Sequence, residues 1–116
     1  MLRLSIALAL LSAPVMAQLR IHEIVYDGIG ADADEAFTEL TGPAGLLLDG
    51  WMLEGVNGGN GAVYRSIPLD GFLVPADGVF VLATDQAVGN VLATRDITAS
   101  VDWQNGPDAV RLIDPT

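Results

Sequence analysis

The chain has 116 residues with fifteen Asp and Glu against five Lys and Arg, a net charge of −10, and no cysteine. That length allows one domain with a real core. The missing thiols exclude disulfide bracing, and the acidity argues against phosphate backbones and anionic headgroups, whose recognition draws on clustered Lys and Arg.

Met1-Leu-Arg-Leu, the apolar run Ile6 to Leu11, Pro14 and the small-residue ending Val15-Met16-Ala17 have the layout of a secretory signal peptide. The run is shorter than the roughly 20 residues that cross a bilayer. Residues 1–17 are therefore expected to be cleaved, leaving residues 18–116 as a secreted or periplasmic domain without a membrane span. Removing them takes away Arg3 and leaves four arginines against the same fifteen acids.

Short apolar segments then alternate with Gly, Asp, Asn and Pro clusters, the pattern of many short strands joined by tight turns. Strands are expected at Leu19 to Tyr26, Phe37 to Thr41, Leu46 to Glu54 with a bend at Asp49-Gly50, and Val63 to Leu69. They continue at Phe72 to Val74, Val79 to Ala83, Val88 to Leu92, Ile97 to Trp103 and Ala109 to Ile113. Asn57-Gly-Gly-Asn-Gly61 must be a loop, since Gly and Asn accept positive φ at little cost. Helical spacing is best at Glu35 to Leu40, a segment too short to prefer a helix over a strand. This inventory predicts an all-β fold in which two antiparallel sheets pack face to face, with Trp51, Phe72, Phe80 and Trp103 filling the space between them.

Taken in order, Leu19-Arg-Ile-His-Glu-Ile-Val-Tyr26, an acidic loop, Phe37-Thr-Glu-Leu40, Leu48-Asp-Gly-Trp-Met-Leu53 and Pro75-Ala-Asp-Gly-Val-Phe-Val-Leu82 resemble the lamin tail domain family. The segment Asn105-Gly-Pro-Asp-Ala-Val-Arg-Leu-Ile-Asp114 is similar to that family's late strand, so the likeness spans nearly all of residues 18–116. It implies an immunoglobulin-like sandwich and a non-catalytic binding or anchoring module, in bacteria sometimes carried beside a hydrolase domain. Two features depart from the pattern. Thr41-Gly42-Pro43 replaces the usual aromatic and Asn, and the chain stops at Asp114-Pro115-Thr116 where the family runs into another strand. The expectation is a domain lacking its last strand or the start of a longer protein, with a sheet edge open to a protein or cell-surface partner.

The loop Asp27-Gly-Ile-Gly-Ala-Asp-Ala-Asp-Glu35 gathers carboxylates on a flexible turn, which is what calcium takes, so Asp27, Asp32, Asp34 and Glu35 are candidate calcium ligands. It lacks the length and terminal Glu of an EF-hand loop, and the plainer reading is a solvated loop. Glu23 alternates with Leu19, Ile21 and Val25, and Glu39 stands two residues from Phe37, so both carboxylates are expected to share strand faces with core residues, balanced by Arg20, Arg65 or Arg111 or by the backbone N–H groups of a turn. If their strands are adjacent they lie about 5 Å apart, a spacing also found in retaining glycosidases. No cleft is implied, so a catalytic pair is the weaker reading. His22, the single histidine, reads as a strand-surface residue unless acids or another chain complete a metal set. Ser66 and Ser100 have no nucleophile-elbow context, and no enzyme is expected.

Overall fold

The computed structural model describes residues 18–28, 30–106 and 108–116; the expected signal peptide lies outside them. The chain runs through β1 (Arg20–Val25), α1 (Asp32–Glu35), β2 (Phe37–Thr41), β3 (Met52–Val56), β4 (Val63–Pro68), β5 (Val79–Ala83), α2 (Gly89–Thr94), β6 (Ile97–Thr98) and β7 (Ala109–Ile113). A four-stranded sheet has the order β1-β2-β5-β6 and a three-stranded sheet the order β4-β3-β7. The fold is a two-sheet β-sandwich, antiparallel except for the β5–β6 pair.

Alternation along the strands makes the core. Thr38 and Leu40 of β2 and Phe80 and Leu82 of β5 point inward, meeting Leu53 from the opposing sheet, and all are almost completely buried. Ile21, Ile24, Ile67, Val110 and Leu112 close the layer from the flanking strands. Of the large aromatics, Phe80 and Trp103 are core, and Trp51 packs against it while half-buried. Phe72 sits 6.0 Å from Phe80 between ring centroids and stays 37% exposed, a rim position rather than the expected filling.

Each sheet carries one bulge. In the β3–β4 pair the register slips between Gly55 and Val56, and the added residue sends both Tyr64 and Arg65 toward the interior side. The Tyr64 ring occupies the space over Gly55, where a Cβ would lie only 2.6 Å from it, so this buried position requires glycine. Arg65 crosses the mouth of the sandwich to donate to the Ser100 and Asp102 carbonyls at 2.6 and 3.1 Å. Its guanidinium stands 5.6 Å from the Trp103 ring, adding a cation–π contact. Trp103 in turn donates its indole N–H to Thr38 Oγ1 at 2.9 Å, a buried hydrogen bond tying the β6–β7 connection to the centre of the larger sheet.

Three expected strands are otherwise, and one of them, Phe72 to Val74, contributes only a single bridging residue, Leu73. Val88 to Leu92 falls at α2, because β5 and β6 run parallel and their connection must cross over, commonly through a helix. Ile97 to Trp103 pairs only over its first two residues; Val101 and Trp103 are buried as irregular chain passing between the sheets. Leu46 to Glu54 is split by the anticipated bend: Leu47 makes an isolated antiparallel bridge with Leu73, and β3 starts only after Asp49-Gly50. The helical turn near residue 35 ends at Glu35, and β2 begins at Phe37.

Candidate functional site

The second bulge lies in β1. Arg20 pairs with Thr41 and Ile21 with Leu40, but the next pair is Glu23 with Glu39, leaving His22 as the extra residue. A bulge of this kind sets two residues against one and re-aims side chains. Its effect is to break the alternation expected for β1. Ile21 and Ile24 face the core, whereas Glu23 turns outward and is exposed. The outward turn corrects the expectation that Glu23 shares a face with core residues, and removes the cost of burying it. Glu39 does share a face with Phe37, but on the outer side of β2, since Thr38 and Leu40 are the core residues.

His22 Nδ1 and Glu39 Oε1 are 2.7 Å apart, with the imidazole side chain 56% and the carboxylate side chain 22% exposed. With Glu23 they form a group in which one ligand atom from each residue lies within 4.8 Å of the others. The arginines expected to balance these glutamates are engaged elsewhere. Arg20 donates to Thr41 Oγ1 at 3.3 Å, Arg65 pairs with Asp102 at 3.3 Å and Arg111 with Glu54 at 3.0 Å. Glu39 also borders an open groove of about 540 Å³ whose floor includes Phe37, Val79 and Val81 and whose far wall includes Asn90 and Thr94 of α2.

The acidic loop is held by its own backbone. Asp32 to Glu35 form one helical turn, closed by Ala36 N–H to the Asp32 carbonyl at 2.8 Å, and the Asp32 carboxylate accepts the Gly28 N–H at 3.3 Å. The Thr84 hydroxyl donates to the Ala33 carbonyl and the Val88 N–H to that of Asp34, docking the turn on the β5–α2 connection. Asp27 is exposed, while Asp32, Asp34 and Glu35 are half-buried. Among the described residues, ligand atoms of three such side chains converge at His22, Glu23 and Glu39, two of which the sequence presents as isolated glutamates and the third as a surface histidine.

A third feature had no sequence signal. Leu47 and Leu73, partners in the isolated bridge, are 50% and 55% exposed, while Phe72 turns to the other side of the bridge, toward Phe80. Buried Leu48, Leu69 and Val74 underlie the segment. Its backbone is held by Leu48 N–H to the Phe72 carbonyl and Val74 N–H to that of Leu46, at 2.9 and 3.0 Å. Two Asp-Gly turns lock together at its end: Asp49 accepts the Gly71 N–H at 2.7 Å and Asp70 the Gly50 N–H at 2.6 Å. The apolar side chains therefore stand on a fixed frame.

Among the described residues no helix is long and apolar enough to cross a membrane. No family model, curated protein or solved structure matches the chain.

Proposed function

We propose that the chain is an exported, non-catalytic binding or anchoring module, of the kind its resemblance to lamin tail domains implies, and that it docks a protein or cell-surface partner through the apolar platform of Leu47 and Leu73. The observation that carries this reading is the exposed Leu47–Leu73 pair on its hydrogen-bonded frame. Contiguous apolar surface held rigidly outward is characteristic of interaction sites, and a rigid surface loses little entropy on docking. Burying a fully exposed leucine contributes about 1.5–3 kcal/mol, so covering these two half-exposed side chains contributes roughly 1.5–3 kcal/mol together, and a micromolar affinity of about 8 kcal/mol draws the rest from the surrounding rim.

The test is retention of the purified protein on envelopes prepared from the cells that produce it. With Leu47→Ser and Leu73→Ser combined, retention is expected to fall about tenfold or more while the variant still unfolds cooperatively, its midpoint lowered only by the loss of two half-buried side chains. Equal retention of the variant would overturn the proposal.

A further inference from the structure

We propose that His22, Glu23 and Glu39 form a three-ligand site for a divalent transition-metal ion of the zinc class, beside the groove that Glu39 also lines.

The donor set is the first ground. An imidazole nitrogen with two carboxylates suits zinc and its neighbours, whereas calcium and magnesium take oxygen alone. Three protein ligands also leave a fourth position open.

The second ground is placement. Without the bulge, His22 would follow the ordinary alternation away from Glu23; with it, both residues stand on the side of the one facing carboxylate, Glu39, with the three ligand atoms within 4.8 Å of one another. Zinc ligands at about 2.0–2.2 Å from the metal lie about 3.3 Å from one another in a tetrahedron. The present spread of up to 4.8 Å closes to that by rotation of side chains that are exposed or half-buried. The strands need not move.

Charge supplies the third ground. Glu23 and Glu39 are direct cross-strand partners, an arrangement of like charges that destabilises a sheet. The remaining arginine of the described residues, Arg95, donates to the Thr84 carbonyl at 2.8 Å, so all four have other partners. A divalent cation between the two carboxylates replaces repulsion by shared attraction. His22 completes its coordination in place of its hydrogen bond to Glu39.

Chelator-stripped protein titrated with zinc chloride in a calorimeter tests the site, with the His22 ring resonances followed by NMR as a local readout. One ion per chain should bind and shift those resonances. His22→Gln and Glu39→Gln should each weaken binding about tenfold or more. Asp32→Asn combined with Asp34→Asn should leave it unchanged, since those residues lie in the separate acidic loop. Melting curves of the two site variants establish that they are folded, as expected for side chains on the outer face. No heat from the parent protein, binding that survives both site substitutions, or binding lost in the acidic-loop variant would each overturn the assignment.

Discussion

Replacing Thr38 by valine isolates one buried hydrogen bond. The side chain is fully buried in β2, and its Oγ1 accepts the Trp103 indole N–H at 2.9 Å. Valine preserves volume and β-branching but offers no acceptor, so the indole N–H is stranded in the core. An unsatisfied buried donor costs about 1–3 kcal/mol, and the methyl that replaces the hydroxyl returns roughly 0.8 kcal/mol of burial. The net loss is about 0.2–2 kcal/mol, which for a domain of this size lowers the melting midpoint by roughly 1–15 °C. Thr38→Ser keeps the hydroxyl and loses one methyl, so its cost of about 1 kcal/mol arises from packing instead. Thermal unfolding followed by tryptophan fluorescence compares the two. A Thr38→Val midpoint equal to the parent's, with Trp103 emission unchanged, would refute the claim that this bond anchors the β6–β7 connection to the larger sheet.

Gly55→Ala should cost more than an ordinary strand substitution, about 2 kcal/mol or above, because the new Cβ meets the Tyr64 ring at 2.6 Å; denaturant titration measures it. Tyr64→Phe in that background removes the hydroxyl at 2.8 Å but leaves the ring carbon at 2.6 Å, so it should recover little of the loss, and Tyr64→Ala more. Asp49→Ala and Asp70→Ala should each destabilise by about 1 kcal/mol, and the double variant by a non-additive amount, since both carboxylates hold the same pair of turns; a double-mutant cycle reads the coupling. A calcium site in the acidic loop would raise the melting midpoint in millimolar calcium over chelator, and Asp32→Asn with Asp34→Asn would cancel the rise. Equal midpoints would leave the loop a solvated turn.

The strands of the sandwich were legible where burial is one-sided and turns carry Asp-Gly. Thus β2, β4, β5 and β7 stand within a residue or so of their expected bounds, and Asp49-Gly50 bends the chain as anticipated. What could not be read from the chain depends on partners distant in sequence. Gly89–Thr94 shows the same short apolar run as a strand; its helical form follows from the parallel pairing of Leu82 with Ile97, which no local pattern announces. The bulge at His22 has no glycine or proline to mark it, so period-two counting put Glu23 on the wrong face. Leu47 and Leu73 look like core leucines until their bridge turns both outward.

β1 is also the outer strand of its sheet, and an edge left straight is a template on which a second chain can polymerise. The bulge twists that edge and interrupts its ladder at mid-strand, while the opposite edge, β6, is only two residues long. Deleting His22 would restore unbroken alternation, with Ile21 and Ile24 inward and Glu23 outward on a regular strand. The cost would then appear in colloidal behaviour: a straight edge able to recruit further copies into edge-to-edge chains, held back mainly by the protein's own negative charge and therefore released as salt is added.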